Sequence, residues 1–407
     1  MRKPVLTIFY QFNPWHPSKG GIQTIIQYFI KYVPSSFEVR LVGTGVDASK
    51  PHGEWEDREF EGRPLKFFPL ITVEDDDTRK IVPTSLRYTW ALRRHNFASD
   101  FMHFHRIEPA LSAQNWQGEK TLFIQNDVEE QISGKDGKNA ILWQWFPWAY
   151  FGLERLLMNQ FSEILSCNSN ACEFYKREYP AISEHVQYYQ VSVDTNRFFP
   201  LATPQKAIAK QTLCEQLELS KETQFLLFVG RLHPQKDPVL LVQSMAALAQ
   251  ENVHLLVVGD GELRPAVESE IEKLGLTKKV TMLGSKSLEE LVPLYQVASA
   301  LVLTSVYEGQ PVTVLEAMAC GTPIVTTRCG DTPSLLSPQT GIVVDQRTPK
   351  DIASAFSAVL AFDEDVTREA CLKVAMASSA ETVITSIYDQ MFERWKQQNN
   401  ELAALQV

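Results

Sequence analysis

The chain has 407 residues, more than one ordinary hydrophobic core supports, which predicts two domains with three as the alternative. Hydrophobic residues make up 44% and charged residues 22% of the sequence, as in globular proteins. The net charge of -10 argues against nucleic acid as the main partner, because binding a phosphate backbone requires a concentrated basic surface.

Cysteine and apolar patterns give expectations about compartment and metals. The six cysteines form no CxxC pair and no Cys/His spacing suited to zinc, so no metal is predicted. The first residues, "MRKPVLTIFYQFNPWHP", lack the apolar block of a signal peptide, and no run approaches the roughly 20 apolar residues of a membrane-spanning helix. We therefore expect a cytoplasmic protein, with any membrane contact peripheral.

Short apolar runs alternate with longer helical patterns from end to end, which is typical of parallel α/β units. In the first half the predicted strands are 5–11, 38–43, 100–105, 121–125 and 163–167. In the second half they are 225–230, 254–259, 279–284, 300–305 and 323–327. The segment 194–210 interrupts the alternation with proline and polar residues, and is the predicted linker.

The predicted fold class is therefore α/β, with two doubly wound, Rossmann-like domains facing a deep cleft. The first domain is predicted to span 1–193 and the second 211–380. Ligands of open parallel sheets bind at the carboxyl ends of strands, where loops and helix N-termini meet. Chemistry is therefore expected directly after strand ends.

An aromatic segment, "ILWQWFPWAYFGLERLLMNQF" at 141–161, leaves two interpretations open. Such a segment can lie in a membrane interface, but interfacial helices usually carry several lysines or arginines, and this one offers only Arg155. Burial in the core, or in the wall of an acceptor cleft, is the favoured interpretation.

Three loops of the second half carry candidate chemistry, and the first is "FVGRLHPQKDP". The strand ends in Gly230, and Arg231 and Lys236 precede a helix that opens near Asp237 and Pro238. Two cations beside a helix N-terminus favour a phosphate or diphosphate ligand. A solvated loop is the alternative, since both residue types are common in such loops.

The second loop is "VVGDGELR", in which Gly259 and Gly261 allow a tight turn. It lacks the third glycine and the downstream acid of a dinucleotide fingerprint, so a backbone turn is the favoured role. The acidic run "EDDD" at 74–77 follows no convincing strand end, and a solvated loop is favoured over a metal site.

The third loop, "YEGQPVTVLEA", places Glu308 and Glu316 eight positions apart. Pro311 suits the start of a helix, so Glu308 is expected in the loop and Glu316 in the helix, about 10 Å away. That separation exceeds the roughly 5–5.5 Å of a retaining glycosidase pair and lies at or beyond the top of the range of about 6.5–9.5 Å of an inverting one. The two carboxylates fit the two ends of a nucleotide sugar better than an acid and a base, with solvent-facing helix residues as the alternative.

Together, "FVGRLHPQKD", "LLVVGDGELR" and "VTMLGSKSLEELVPLYQVASALVLTSVYEGQPVTVLEAMACGTPIVTT" resemble the donor domain of retaining glycosyltransferases of family four, of the "glycosyl transferases group 1" type. The resemblance is close over about 225–345 and loose in the first half. It implies a GT-B fold and a C-terminal helix at 381–407 that crosses back to the first domain.

The resemblance also implies roles for individual residues. Arg231 and Lys236 match the cations that hold the donor diphosphate and support its departure. Glu308 matches the residue near the transferred sugar, and Glu316 matches the one that binds the nucleotide ribose. Further donor contacts are implied for the strand-end glycine and the loop backbone, at Gly230, Gly309, Gln310, Pro311 and Val312.

Two features of the first half enter through the same resemblance. The pair Gly20 and Gly21 resembles the family's N-terminal glycine loop, which approaches donor phosphate and acceptor. In "DFMHFHRIEPA", His105 is favoured over His103 as the histidine near the reacting sugar, because it lies at the strand's end. A buried structural histidine is the alternative.

Two segments depart from the family pattern. The usual second glycine and glutamate after the next strand are replaced by Asp331 and Ser334, and the usual Asn-Gly before the linker is replaced by Val191 and Ser192. These positions lie outside the diphosphate and ribose contacts, so donor binding remains the expectation.

The predicted function is the retaining, metal-independent transfer of a hexose from a nucleotide diphosphate sugar to an acceptor hydroxyl, with no cofactor. A polysaccharide intermediate, a lipid and a small molecule all stay open as acceptor. A nucleotide-sugar 2-epimerase and a catalytically silent nucleotide-sugar-binding protein are the alternatives.

Overall fold

The computed structural model describes residues 2–16, 21–47, 52–73, 83–124 and 147–404. The chain forms two compact units. Unit 1 comprises Met1–Gln190 together with Ala380–Val407, and unit 2 comprises Val191–Ser379.

Unit 1 contains one mixed sheet with helices on its faces. Its strands are β1 (Val5–Phe9), β2 (Glu38–Gly45), β3 (Glu56–Phe60), β4 (Arg63–Thr72), β5 (Phe101–Phe104), β6 (Glu119–Ile124), β7 (Glu163–Ser166) and β8 (Val186–Tyr188). Its helices are α1 (Gly21–Lys31), α2 (Thr84–Leu92), α3 (Pro147–Leu157), α4 (Ser169–Glu178) and the C-terminal helix (Ala380–Ala404).

The strand order in this sheet is β3-β4-β2-β1-β5-β6-β7-β8, and β3 alone among the described strands is antiparallel to its neighbour. The chain winds outward from β1 in one direction and then from β5 in the other. The crevice between the carboxyl ends of β1 and β5 is therefore the topological switch point, where doubly wound sheets bind ligands.

Unit 2 contains a fully parallel sheet. Its strands are β9 (Gln224–Val229), β10 (Val253–Val258), β11 (Val280–Gly284), β12 (Ala300–Leu303), β13 (Ile324–Thr327) and β14 (Gly341–Val344). Its helices are α5 (Thr203–Gln216), α6 (Pro238–Ala246), α7 (Arg264–Lys273), α8 (Leu288–Val297), α9 (Val312–Ala319), α10 (Thr332–Leu335), α11 (Pro349–Val359) and α12 (Glu364–Ala377).

The strand order in unit 2 is β11-β10-β9-β12-β13-β14, the order of a dinucleotide-binding sheet. Its core consists of apolar side chains, mostly aliphatic, from the buried strands and from the inner faces of α6, α7 and α11. Here the switch point lies between the carboxyl ends of β9 and β12. The two loops singled out for their cations and carboxylates follow these two strands.

Specific hydrogen bonds and ion pairs join the C-terminal helix to the rest of unit 1. The hydroxyl of Tyr388 donates to the carbonyl of Phe29 in α1 at 2.7 Å. The indole of Trp395 donates to Asp100 at 3.2 Å, and Arg394 pairs with Glu119 at 2.9 Å. Because Tyr388 and Trp395 are almost fully buried, this helix is part of the core of unit 1.

The ten predicted strands are all present, each within two residues at either end. The segment 194–210 differs from the predicted linker. It lies within unit 2, and from Thr203 onward it forms α5, with Pro204 in the first turn. Proline fits that position because the first helical residues have no intrahelical acceptor for an N–H group.

Candidate functional site

The loop after β9 turns sharply before α6. Residues Pro234–Lys236 form one turn of 3-10 helix, and Asp237 has the left-handed conformation, with φ of 45°. The Asp237 carboxylate caps α6 by accepting from the N–H of Leu240 at 3.3 Å. The turn places Lys236 beside the loop that follows β12.

Lys236 and Glu308 form an ion pair at the switch point of unit 2. The Nζ of Lys236 binds Oε1 of Glu308, and the hydroxyl of Ser305 donates to the same oxygen at 2.6 Å. The Glu308 side chain is buried and that of Lys236 is largely so. A partly buried pair is screened less by solvent than a surface pair, so the orientation of both side chains is well defined.

The loops after β9 and β12 are joined by their backbones as well. The hydroxyl of Thr304 lies 2.9 Å from the carbonyls of both Lys236 and Asp237. The N–H of Val306 donates to the carbonyl of Gln235 at 2.8 Å, and the Gln235 amide donates to the carbonyl of Tyr307 at 3.1 Å. These contacts hold the segments that carry Lys236 and Glu308 as one structure.

Two glycines allow further loops to pack against these segments. A Cβ at Gly259 would lie 1.9 Å from the carbonyl oxygen of Gly230, and Gly259 has φ of 131°. A Cβ at Gly330, with φ of 55°, would lie within 2.4 Å of the carbonyls of Glu308 and Gly309. Any larger residue at either position would push a neighbouring loop away from the switch point.

Glu316 lies inside α9 with only 3% of its surface exposed. Its Oε2 accepts a hydrogen bond from the hydroxyl of Tyr295 at 2.8 Å, and Oε1 has no hydrogen-bond partner among the described residues. Burial raises the pKa of Glu316 from 4.5 to about 7, although the Tyr295 hydroxyl and the charge of Arg197 act in the opposite direction. One carboxylate oxygen is thus held by the protein while the other remains available to a ligand hydroxyl.

The remaining donor-site candidates in unit 2 lie on the loops after β9 and β12 and at the start of α9. Pro311 is the N-cap residue of α9, which begins at Val312. The buried amide of Gln310 accepts from the N–H of Val191 at 3.3 Å. The side chain of the exposed Arg231 makes no hydrogen bond or ion pair with the described part of the chain.

In unit 1, His105 follows β5 at the switch point of that sheet. Its ring stacks on Phe123 with centroids 4.6 Å apart, and the edge of Tyr10, which follows β1, lies at 6.1 Å. Neither ring nitrogen of His105 has a hydrogen-bond partner within the described ranges. Burial lowers the pKa of His105 to about 3, so the imidazole is neutral near pH 7.

His103, the alternative histidine, lies within β5 itself. It is buried between Phe29 and Phe123, with ring centroids 5.0 Å from each. Burial lowers its pKa as well, and the neighbouring His105 adds to this effect. His103 is therefore a core residue in this structure, whereas His105 lies at the strand end.

Other sequence candidates lie wholly or partly outside the described residues. Gly20, the run at 74–77 and the aromatic residues at 143–146 belong to such segments, while Gly21 is the first residue of α1. Trp148 on α3 is 76% exposed. No helix in the described ranges has the length and hydropathy to cross a bilayer, and no group of three or more His, Cys, Asp or Glu there is arranged to hold a metal.

Three contacts of the site were missed by sequence reasoning: those of Ser305, Tyr295 and Arg347. Ser305 carried a usable signal, because it lies two residues after the end of β12, in the same loop as Glu308. Tyr295 lies within α8, and Arg347 follows β14, a strand that was not predicted. Tyr295 lies within one of the segments that carry the family resemblance, but nothing local marks it as a partner of Glu316, and Arg347 lies outside those segments.

Fold and site together define a class of protein. Two doubly wound units in one chain, with cations and buried carboxylates at the switch point of the second, have the architecture of GT-B glycosyltransferases. Sucrose-phosphate synthase from Thermosynechococcus elongatus shares this fold with a TM-score of 0.77 and 18% identity, over 96% of this chain and 100% of that one. Anabaena HepE, solved in complex with UDP-glucose, does so with a TM-score of 0.69 and 15% identity, over 97% and 100%.

The sequence of unit 2 has a match among known families. Residues 209–371 match the family model described as glycosyl transferases group 1. The D-inositol 3-phosphate glycosyltransferase of Segniliparus rotundus is 31% identical over 193 residues, which are 46% of this chain and 41% of that protein. The chain spans less than half the length of such curated relatives.

Proposed function

We propose that the protein transfers a hexose from a nucleotide diphosphate sugar to an acceptor hydroxyl, with retention of configuration and without a metal ion. The observation that carries this proposal is the arrangement of carboxylates in unit 2. Glu308 is paired with Lys236 at the switch point. Glu316 lies in the helix that follows, where one of its two carboxylate oxygens is available to a ligand. The family of residues 209–371 supports the same reaction class.

Glu316 binds the nucleotide end of the donor in this proposal. Two adjacent ribose hydroxyls are hydrogen-bond donors, and Oε1 of Glu316 accepts from them while Tyr295 holds Oε2. The deprotonated form is the better acceptor, so donor binding strengthens as the pH rises through the pKa of about 7.

Lys236 and Arg231 bind the diphosphate. Lys236 exchanges part of its contact with Glu308 for a phosphate oxygen, and the exposed guanidinium of Arg231 adds a second charge. The backbone at Gly230 and from Gly309 to Val312 contacts the phosphates and the sugar. Glu308 then orients the hexose through its hydroxyls.

The chemical step breaks the bond between the anomeric carbon and the phosphate oxygen and forms one from that carbon to the acceptor oxygen. The bonding electrons leave with the nucleoside diphosphate, whose added negative charge Lys236 and Arg231 stabilise. The leaving phosphate oxygen accepts the acceptor's proton from the same face of the sugar, which retains the configuration. Because the two cations neutralise the leaving group, the reaction needs no divalent ion in this proposal.

His105 contributes an uncharged imidazole at the switch point of unit 1. With both ring nitrogens unpartnered in the described part of the chain, it can donate a hydrogen bond to one oxygen of a reacting sugar and accept one from another. Gly21, at the N-terminus of α1, offers backbone N–H groups to an anionic oxygen, and we assign the same role to Gly20.

The acceptor is a hydroxyl compound drawn from polysaccharide intermediates, lipids or small molecules. One relative is named for inositol phosphate, and others among the structural neighbours act in lipopolysaccharide biosynthesis, so hydroxyl-rich acceptors are the first to test. Peripheral contact with a membrane through the exposed Trp148 is compatible with a lipid acceptor.

A nucleotide-sugar panel tests the proposal directly. UDP-, GDP- and ADP-hexoses are each incubated with the protein in EDTA, and binding is measured by calorimetry before acceptors are screened with the donor that binds. We expect one donor to bind and to transfer its sugar with retention, as shown by NMR of the product anomer. A product of inverted configuration would refute retention, and loss of transfer in EDTA would refute metal independence. An epimerised donor formed without acceptor would refute sugar transfer as the reaction.

A further inference from the structure

Arg347, which follows β14, contacts both loops of the donor site without belonging to either. Its Nη2 donates to Oδ2 of Asp237 at 2.6 Å and to the carbonyl of Thr304 at 3.3 Å. Asp237 follows Lys236 directly, and Thr304 lies four residues before Glu308. One guanidinium therefore joins the turn that carries the cation to the loop that carries the carboxylate.

The turn at Asp237 requires such support. Its left-handed φ of 45° is unfavourable for a residue other than glycine, asparagine or aspartate, and is strained to a lesser degree even there. The Asp237 carboxylate uses Oδ1 to cap α6 and Oδ2 to bind Arg347. The hydroxyl of Thr304 also fixes the turn to the loop after β12, since it contacts the carbonyls of both Lys236 and Asp237.

We infer that Arg347 is a positioning residue for Lys236, and that this contact gives the site its preference for a nucleoside diphosphate over a monophosphate. The inference rests on the proposed function and adds a residue to it. Lys236 acts at the bridging phosphates, whereas Glu316 holds the ribose and has no contact with Arg347. Loss of Arg347 should therefore weaken the diphosphate contact and leave the nucleoside contact intact.

Loss of Arg347 should change the geometry of the site more than the stability of unit 2. Arg347 and Asp237 are each one-third exposed, and ion pairs of that exposure contribute little to the free energy of unfolding. A charge-assisted contact to phosphate that is displaced but not deleted loses part of its strength, which corresponds to a decrease in affinity of about tenfold.

Calorimetry with paired nucleotides tests the inference. UDP and UMP, GDP and GMP, and ADP and AMP are titrated into the wild type, and the pair that binds is used with the variants. Arg347→Ala should weaken diphosphate binding about tenfold and change monophosphate binding less than twofold. Lys206→Ala is the matched control, because it removes another ion pair of unit 2, with Glu364 at 2.8 Å, that lies on α5 and α12 away from the site.

Two gentler variants separate positioning from direct binding. Asp237→Asn preserves the cap and suits the left-handed backbone, but it removes the charge that Arg347 binds. It should lower the diphosphate preference as Arg347→Ala does, and the double variant should lose no more than either. Arg347→Lys, which keeps the charge, should recover most of the preference.

The outcomes distinguish this inference from the proposed function. Wild-type protein that binds no nucleotide overturns both. Wild-type protein that prefers the diphosphate, with the preference unchanged in Arg347→Ala, overturns the inference alone. An effect in Arg347→Ala without one in Asp237→Asn overturns the positioning role, because it would mean that Arg347 contacts the phosphate itself.

Discussion

Replacing Glu316 by glutamine should stabilise unit 2 and weaken donor binding at the same time. Glutamine has the same shape, and its amide oxygen can accept the hydrogen bond from Tyr295. It carries no charge, so the cost of holding a carboxylate with 3% exposure inside α9 disappears.

The magnitude and the pH range follow from the pKa of Glu316. Folding raises this pKa from 4.5 to about 7, so the folded state holds the proton more tightly than the unfolded chain does. The stability that the protonated carboxyl provides is fully present below pH 4.5 and is lost as the pH rises to 7. At about 1.4 kcal/mol per pH unit, the variant should exceed the wild type by up to about 3 kcal/mol at pH 8, and the two should converge near pH 4.5.

Thermal unfolding of both proteins at several values between pH 5 and pH 8.5 measures this difference. For a unit of this size, about 3 kcal/mol corresponds to a rise in Tm of roughly 6–12 °C. Calorimetry on the same samples should show donor binding weakened at least tenfold, since a charge-assisted hydrogen bond contributes about 1.5–3 kcal/mol. A variant no more stable than the wild type at pH 8, or a stability difference independent of pH, would refute the reasoning.

Three further predictions concern Lys236 and Tyr295 of unit 2 and the buried histidines of unit 1. Lys236→Met should lower kcat by orders of magnitude because the leaving diphosphate loses its buried cation, and near-normal turnover with a saturating donor would contradict that role. Tyr295→Phe should shift the pH dependence of donor binding upward, since the lost hydroxyl no longer favours the carboxylate; an identical profile from pH 6 to pH 9 would disprove it. Unit 1 should lose stability as the pH falls below 6.5, because burial lowers the pKa of His103 and of His105 and the unfolded chain therefore takes up protons first. Urea midpoints of His103→Leu and of the wild type between pH 8 and pH 5 test this, and equal acid sensitivity would count against it.

Much of the fold was predictable because buried parallel strands carry a strong apolar signal. The strands that were missed have specific reasons. β3 is an exposed edge strand of charged residues, and β4 contains Pro64 and Pro69, which normally argue against a strand. β8 has only three residues, too few for a period to show, and the four-residue β14 begins with a glycine, which weakens a strand pattern.

The residues of the site were predictable only where the local sequence around each of them indicates its position in the fold. Lys236 and Glu308 each follow a strand end, so sheet topology alone brings them near the same edge. The contacts of Tyr295 with Glu316 and of Arg347 with Asp237 join residues 21 and 110 positions apart. No local pattern encodes such pairs, because their proximity depends on how the loops and helices pack.

The two carboxylates lie in different environments, which suit the different roles proposed for them at the two ends of one ligand. Glu308 lies beside a cation and a hydroxyl, so its charge is compensated before a sugar is bound. Glu316 has a tyrosine hydroxyl as its hydrogen-bond donor and lies in a helix segment, VTVLEAMA, that is otherwise almost wholly apolar. An apolar residue would serve the core of unit 2 better at that position, since burying an incompletely satisfied carboxylate costs free energy. That cost is offset when hydroxyl groups of a ligand reach Oε1, and for this reason a nucleotide should raise the Tm of the wild type more at pH 8 than at pH 5.5.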